Sequence, residues 1–299
     1  MKKIYNTILD TIGNTPMVRI NHLNPNPKVN IYAKIEGVNP GGSIKDRIGV
    51  KMIEQAESEG TLTRHKTIIE ATSGNTGIAL AMIGNAKGYT VKIVMSEAVS
   101  VERRQMIQAF GAEIILTDSE QGTDGAILKV EELLEKYPDK YFCTHQFTNK
   151  YNKLAHYETT AQEIWEQTGG DIDYFVSSLG TSGTLMGVSE ALKRYNKGIK
   201  IVSAEPVKGH YIQGLKNMEE AIVPAIYDKS KLDEIIMIET EDAFRMMRLI
   251  AKKEAIFAGM SSGAAMLAAS RVAERIDSGT IVTIFPDRGE KYLSTGVFS

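Results

Sequence analysis

Short apolar runs alternate with longer segments of helical period along most of this chain. The runs are rich in Val and Ile and alternate little with polar residues, which is typical of strands buried on both faces. They predict strands at residues 91–95, 113–116, 174–177, 200–204, 235–238 and 280–285. Segments with helical spacing predict helices at 101–110, 125–136, 154–167, from 184 onward, 242–253 and 263–276. This order of elements predicts an α/β protein with parallel sheets covered by helices.

Composition and charge narrow the possible partners. The chain has 35 Lys and Arg against 37 Asp and Glu, and a net charge of −2 gives no general attraction to nucleic acid or to an anionic membrane. The lone Cys143 excludes an internal disulfide and a cysteine-rich metal site, and no His spacing indicates a metal. No apolar run is long enough for a signal peptide or a membrane span. We therefore expect a soluble cytoplasmic protein without metal, nucleic-acid or membrane partners.

Three glycine-rich turns carry the candidate chemistry, and in a parallel sheet such turns gather at the carboxyl edge, where ligands bind. The first turn, at residues 39–47, reads NPGGSIKDR. Ser43 can cap a helix that starts near Ile44, and Lys45 then lies at the positive end of that helix, which lowers the pKa of its ammonium. A neutral amine is what a Schiff-base lysine needs, whereas the ordinary alternative is an exposed loop lysine.

The second turn, at residues 70–77, reads EATSGNTG. Its successive backbone N–H groups open onto a helix predicted at 78–84 and suit a carboxylate, and Asn75 can donate to a ring oxygen. The third turn, at residues 177–184, reads SSLGTSGT, and its hydroxyls and helix start suit a phosphate. It lacks the lysine of a P-loop and the full dinucleotide fingerprint. Each turn also has an ordinary structural interpretation as a tight turn with a helix cap.

The three turns are more informative together than singly. A lysine, a carboxylate site and a phosphate site in one parallel-sheet protein predict a phosphorylated aldehyde cofactor and an amino-acid substrate. A long segment without periodicity, residues 206–224, is either a functional loop or a surface excursion.

With these motifs the chain resembles the cysteine synthase / cystathionine β-synthase family of fold-type II pyridoxal-phosphate enzymes. The resemblance runs from IGNTP at 12–16 to KYLST at 291–295, and its most specific part is NPGGSIKDR followed by TSGNT at 72–76. It implies a two-domain α/β fold with parallel-rich twisted sheets covered by helices. Residues 1–39 and 148–299 would form the large domain that binds the cofactor phosphate, and residues 40–147 a small mobile domain. A homodimer is implied as well.

The resemblance also implies roles for single residues. Lys45 would hold pyridoxal 5'-phosphate as the internal aldimine and later act as acid and base at the substrate α-carbon, while Asn75 would bond the ring oxygen. Ser261, in preference to Ser262, would face the ring nitrogen. The cofactor phosphate would be held by Gly180, Thr181, Ser182, Gly183 and Thr184, although the family more often has glycine in place of Ser182. The substrate carboxylate would be held by Thr72, Ser73, Gly74, Thr76 and Gln146. His145 is expected near the cleft as a structural histidine.

The implied reaction is β-replacement on a serine derivative. A hydroxyl opposite the ring nitrogen leaves that nitrogen largely neutral, which disfavours a long-lived carbanion and suits elimination to an aminoacrylate. Sulfide would then add and give L-cysteine from O-acetylserine or O-phosphoserine. Several segments resemble the CysM branch, in which phosphoserine users have an arginine where Lys216 stands. Lys216 is therefore expected to meet an anionic leaving group.

Two other functions stay open. The same half-reaction with L-cysteine as donor would release hydrogen sulfide and give serine, lanthionine or cystathionine, because the motifs do not encode the sulfur side of the pocket. A non-catalytic regulatory protein of the same fold is the alternative from another class, although the presence of Lys45, Asn75 and Ser261 argues against it. Serine/threonine dehydratases and threonine synthases resemble the chain less. The haem segment and regulatory region of the vertebrate-type cystathionine β-synthase are not expected here.

Overall fold

The computed structural model describes residues 4–72 and 74–299, whose strands form two sheets. The strands are β1 (Met17–Arg19), β2 (Val29–Ile35), β3 (Thr67–Ala71), β4 (Val91–Ser96), β5 (Glu113–Thr117), β6 (Tyr141–Cys143), β7 (Tyr174–Ser178), β8 (Lys200–Pro206), β9 (Glu234–Ile238) and β10 (Gly279–Phe285). The six-stranded sheet has the order β1-β2-β10-β7-β8-β9 and the four-stranded sheet the order β5-β4-β3-β6. All neighbours are parallel except β1, which is antiparallel to β2.

Helices connect and cover these strands. They are α1 (Lys45–Ser58), α2 (Asn75–Lys87), α3 (Val101–Ala109), α4 (Gly122–Lys136), α5 (Lys150–Ala155), α6 (Ala161–Thr168), α7 (Gly183–Tyr195), α8 (Thr240–Glu254) and α9 (Met260–Ala273). A π-helical turn, His156–Thr160, joins α5 to α6. Short 3₁₀ turns lie at Ile8–Thr11, Glu36–Val38, Ser119–Gln121, Lys229–Lys231 and Gly289–Thr295.

The six predicted strands are all present, and each boundary lies within two residues of the prediction. Four strands, β1, β2, β3 and β6, have no counterpart among the predicted runs. Buried polar side chains interrupt two of them, since Lys34 in β2 is 0% exposed and Glu70 in β3 is 3% exposed. β1 and β6 are only three residues long, too short to show a pattern.

Four helix predictions differ from the structure. The helix predicted at 154–167 is interrupted by the π-helical turn between α5 and α6. α2 and α4 each begin three residues before the predicted starts at 78 and 125, and α9 spans Met260–Ala273 instead of 263–276. All three begin early because residues of the preceding turn already belong to the first helical turn. The Lys45 backbone N–H donates to the Ser43 hydroxyl at 3.2 Å, as expected of a cap, although Ile44 already has helical dihedrals.

Each sheet is covered on both faces, as predicted for strands without alternation. In β10, successive residues Ile281 and Val282 point to opposite sides of the sheet. Ile281 belongs to a core with α8 and α9, and Val282 to a core with α6 and α7. In β3, Ile68 packs with α2 and Ile69 with α4. Within residues 4–72 and 74–299, no helix is long and apolar enough to cross a bilayer.

Candidate active site

A cavity of about 270 Å³ lies at the carboxyl ends of strands from both sheets. Ala71 ends β3, Ser178 ends β7, and Pro286 follows β10, and all three contribute to its wall. The predicted site residues that line it are Lys45, Thr72, Gly74, Asn75, Thr76, Gln146, Gly180, Thr181, Ser182, Thr184, Lys216 and Ser261. Gly183 begins α7 beside the wall, and Ser73 lies outside the described residues. The three turns therefore meet in one place, as their position after parallel strands predicts.

Lys45 is the first residue of α1, and its side chain lines the cavity. Burial lowers the pKa of its ammonium to about 8, because the charged form is poorly solvated there, while the negative charge of Asp287 acts in the opposite direction. The direction agrees with the prediction from the helix terminus, but burial is the larger cause. With this pKa of about 8, roughly a tenth of Lys45 is a neutral, nucleophilic amine at pH 7, far more than for an exposed lysine.

Asn75 is held on both sides of its amide. Its Nδ2 donates to Oδ2 of Asp287 at 2.8 Å, and its Oδ1 accepts from Nζ of Lys291 at 2.8 Å. Lys291 also donates to the carbonyls of Gly41 and Gly42, at 3.2 and 2.9 Å. These contacts fix the orientation of the Asn75 amide, and one Nδ2–H has no partner among residues 4–72 and 74–299 and is available to a ligand. Asp287 and Lys291 are absent from the sequence-based site because no local pattern distinguishes them.

The turn between β7 and α7 forms a tight cradle. A Cβ on Gly180 would lie 2.5 Å from the Gly214 carbonyl oxygen, and a Cβ on Gly183 would lie 1.8 Å from Oδ1 of Asn152, so both positions require glycine. Ser182 Oγ is buried without a hydrogen-bond partner in the described part of the chain. Free backbone N–H groups at a helix start together with an unpartnered hydroxyl fit a phosphate. The residues present therefore fit the phosphate of the expected cofactor.

His156, which the sequence did not single out, lies behind this cradle. Its Nε2 is 3.2 Å from the Thr184 hydroxyl, and its Nδ1 is 2.9 Å from the Thr160 hydroxyl. Burial, with the nearby charge of Lys45, keeps the pKa of the imidazole well below its usual value, so the ring is neutral. His156 begins the π-helical turn, a feature that is frequent at functional sites. His145, the histidine expected near the cleft, lies on the wall of a neighbouring cavity that shares Ala71, Phe147 and Lys216 with this one.

The turn after β3 meets the segment after β6 because these two strands are parallel neighbours. Thr76 Oγ1 donates to Oε1 of Gln146 at 2.7 Å, and the Gly74 N–H donates to the Thr72 hydroxyl at 3.2 Å. Thr72, Gly74, Thr76 and Gln146 thus form one polar wall at the start of α2. Such a wall of N–H groups, hydroxyls and an amide can bind a carboxylate.

Ser261 and Lys216 complete the cavity on the side of the six-stranded sheet. Ser261 is in the first turn of α9 and lines the cavity, whereas the fully buried Ser262 is not part of its wall. Lys216 lies in the long segment after β8, and its Nζ is 4.5 Å from the ring centroid of Phe147. Burial lowers the pKa of Lys216, which is therefore not an ordinary exposed loop lysine. The segment without periodicity is a wall of the cavity.

Ser182 has a φ of +68°, in the left-handed region that favours glycine. We expect Ser182→Gly to raise the free energy of unfolding of the cofactor-free protein by about 1 kcal/mol, because glycine has no Cβ strain there. The neighbouring Thr181→Gly is the control and should lower that free energy, since Thr181 has no positive φ to relieve. Urea unfolding of both variants measures the difference. A less stable Ser182→Gly protein would show that the serine conformation is not strained.

A nucleophilic lysine, a phosphate cradle and a carboxylate wall in one cleft suit a phosphorylated carbonyl compound and an amino acid. The family model for pyridoxal-phosphate dependent enzymes matches residues 8–287. Cysteine synthase of Aquifex aeolicus is 49% identical, over 100% of this chain and 94% of that protein. Cysteine synthase B of Escherichia coli is 45% identical, over 98% of this chain and 96% of that protein.

The likeness extends to solved structures. A hydrogen sulfide-producing enzyme from Fusobacterium nucleatum has a TM-score of 0.92 at 45% identity, over 97% of this chain and 100% of that chain. The chain belongs to the family of pyridoxal-phosphate dependent enzymes. Its fold is that of the fold-type II members, and the resemblance stated from the motifs is confirmed.

Proposed function

We propose that this enzyme replaces the β-substituent of O-acetylserine or O-phosphoserine with sulfide and so makes L-cysteine. The observation that carries the proposal is the joint position of Lys45, the Asn75 turn and the phosphate cradle in one cavity. The similarity of the chain to two cysteine synthases supports the choice of this reaction.

Pyridoxal phosphate, when bound, supplies a carbonyl for amine condensation and a ring that withdraws electrons from the substrate. The amine of Lys45 would hold that carbonyl, and the same amine would remove the α-proton of the substrate and return a proton to that carbon. Asn75 would bond the ring oxygen through its remaining Nδ2–H. Ser261 would offer the ring nitrogen a hydroxyl without charge. Residues 180–184 would hold the phosphate.

The polar wall around the Asn75 turn orients the substrate. Thr72, Ser73, Gly74, Thr76 and Gln146 bind its carboxylate, which points the α-hydrogen toward Lys45. Acetate or phosphate then leaves with the electron pair of the Cβ–O bond. Hydrosulfide forms the new Cβ–S bond, and the proton returned to the α-carbon completes L-cysteine.

A second candidate function is release of hydrogen sulfide from L-cysteine, with serine, lanthionine or cystathionine as product. The likeness to a hydrogen sulfide-producing enzyme favours it. In both functions the same protein groups act at the substrate α-carbon. The two functions differ in the substituent that leaves the β-carbon.

A visible absorption titration of the cofactor-loaded protein distinguishes the two functions. O-acetylserine, O-phosphoserine, serine and cysteine are added separately, and products are analysed after sulfide is supplied. The proposal expects the cofactor band to change with an activated serine and cysteine to form once sulfide is added. If only cysteine changes the band and sulfide is released, the second function is correct.

Lys216 is proposed to bind the anionic leaving group. Lys216→Met should raise KM for O-phosphoserine roughly tenfold, because one charge-assisted contact to the phosphate is lost, and should change KM for O-acetylserine less. Lys208→Met, an exposed lysine of the same segment outside the cavity wall, is the matched control. Steady-state kinetics with both donors measures the effect. The role is refuted if Lys216→Met leaves KM for O-phosphoserine unchanged, or raises KM for both donors by the same factor.

The division into two domains, the homodimer and the cytoplasmic location are proposals as well. Separate cores on the two sheets support residues 40–147 as a small domain that moves against 1–39 and 148–299. Light scattering measures the oligomeric state, and small-angle scattering with and without substrate measures the domain movement.

A further inference from the structure

The cavity wall has a surplus of positive charge. Among the described residues that line it, Lys45, Arg103 and Lys216 are cationic and none is Asp or Glu. Lys45 is proposed to bind the cofactor carbonyl, and Lys216 lies over the ring of Phe147. Arg103, in the first turn of α3, has no role in the site described so far.

Arg103 is a buried cation without an acidic partner in the part of the chain that the structure describes. The residue is 2% exposed, and its Nε and Nη1 atoms make no hydrogen bond to any described group. Its described contacts are with the side chain of Tyr292. A buried guanidinium with unpaired N–H groups is costly, which indicates that a ligand completes its contacts. Arginine binds the oxygens of phosphates and carboxylates through two parallel hydrogen bonds.

The guanidinium is held in place from two sides. Its carbon is 4.6 Å from the ring centroid of Tyr292, and a Cβ built on Gly74 would lie 2.6 Å from its Nε. The start of α3 is tied to the C-terminal turn, where the Ser100 hydroxyl donates to the Lys291 carbonyl at 3.0 Å. Arg103 is therefore fixed on the cavity wall, beside the turn proposed to bind the substrate carboxylate.

We propose that Arg103 binds a second oxyanion, carried by a reactant, at the part of the cavity wall beside the Asn75 turn. The α-carboxylate is already served by Thr72, Thr76 and Gln146, so a further arginine indicates a further negative group. This oxyanion is either the phosphate of a phosphorylated serine or the carboxylate of an incoming thiol. The inference rests on the proposed function and specifies the substrates of that same site.

The test compares Arg103→Gln and Arg103→Lys with the wild-type holoenzyme. It uses two pairs of reactants, each of which sets a reactant with the extra oxyanion against one without it. The first pair is O-phosphoserine and O-acetylserine with sulfide. The second pair is 3-mercaptopropionate and 2-mercaptoethanol as nucleophiles for O-acetylserine. Arg103→Gln should raise KM at least roughly tenfold for the anionic member of one pair and less than about threefold for its partner. The pair that responds identifies the source of the oxyanion, and Arg103→Lys should lose less.

Arg104→Gln is the control for changes in α3. Arg104 adjoins Arg103, but its Nε and Nη2 donate to the Val99 carbonyl at 3.1 and 2.8 Å, and it is not part of the cavity wall. If Arg103→Gln slows both members of each pair equally, as a structural role would, or slows none of them, the inference is wrong.

A binding measurement separates this inference from the proposed function. Inorganic phosphate and 3-mercaptopropionate are titrated calorimetrically into wild-type holoenzyme and Arg103→Gln. Weaker binding by the variant supports the oxyanion site even if the wild type makes no cysteine, whereas unchanged binding of both probes overturns it even if cysteine synthesis is established.

Discussion

Lys45→Ala should reduce cysteine formation by at least about 10⁴-fold, the largest effect expected of any substitution in this protein. The variant lacks both the amine proposed to bind the cofactor carbonyl and the base proposed to act at the substrate α-carbon. Lys45 is suited to both roles because burial lowers its pKa to about 8. Lys216, the other lysine among the described residues of the cavity wall, lies over the ring of Phe147. Lys291 contacts Asn75 but also donates to the Gly41 and Gly42 carbonyls, so neither amine is expected to replace Lys45.

Two measurements check the Lys45 prediction. The visible band of the purified cofactor-loaded protein should be lost or strongly shifted in Lys45→Ala, and product formation should be undetectable by steady-state assay. Lys51→Ala is the matched control, because Lys51 is in the same helix and pairs with Glu158 at the surface, at 2.8 Å. It should keep the band and the activity. A Lys45→Ala protein that retains both would mean that another residue binds the cofactor.

The parts of the site that could be predicted from the sequence are those built from consecutive residues. The turns around Lys45, Asn75 and Ser182 each show their small residues and helix start within eight or nine positions. A parallel sheet then brings such turns to one edge without further information. This explains why the motifs predict the cavity wall although four strands have no counterpart among the predicted runs.

The parts that could not be predicted depend on contacts between distant segments. Asp287 and Lys291 reach Asn75 across more than 200 positions of sequence, at 2.8 Å each. Arg103 faces the cavity because α3 packs on the C-terminal turn, and in sequence it resembles its neighbour Arg104. A polar residue can be buried when distant segments supply its hydrogen-bond partners. Its burial therefore leaves no periodic pattern in the sequence.

The same limit applies to a buried ion-pair network next to Lys45. Arg47, in the first turn of α1, is 2% exposed. Its guanidinium makes paired contacts with Glu36, at 2.7 and 2.9 Å, and with Glu163, at 2.6 and 2.7 Å. Lys34 adds a contact to Glu163 at 2.8 Å. The network joins the end of β2, the start of α1 and α6, and so fixes the helix that carries Lys45.

Arg47→Met should lower the free energy of unfolding by roughly 3–5 kcal/mol, because it leaves the buried carboxylate of Glu36 without its cation. Urea unfolding of the cofactor-free protein measures the change. Arg47→Lys should recover only part of it, since an ammonium cannot make the two paired contacts. Lys51→Met, which breaks the exposed pair with Glu158, should cost less than about 1 kcal/mol. An Arg47→Met protein as stable as Lys51→Met would show that the network does not stabilise the fold.

The difference in the free energy of unfolding between wild type and Arg47→Met should also become smaller as pH falls. Despite the opposing effect of burial, the hydrogen bonds from Arg47 and Lys34 lower the pKa of Glu163 from its usual value near 4.5 to about 2. A carboxyl whose pKa is lower in the folded state stabilises the fold above its unfolded pKa and loses that contribution as pH falls through the folded pKa. The stability difference should therefore be full above about pH 5 and shrink toward pH 2. Urea unfolding of both proteins at pH 7, 4 and 3 measures this stability difference. A difference that grows at low pH would mean that Arg47 does not hold Glu163 in its ionised form.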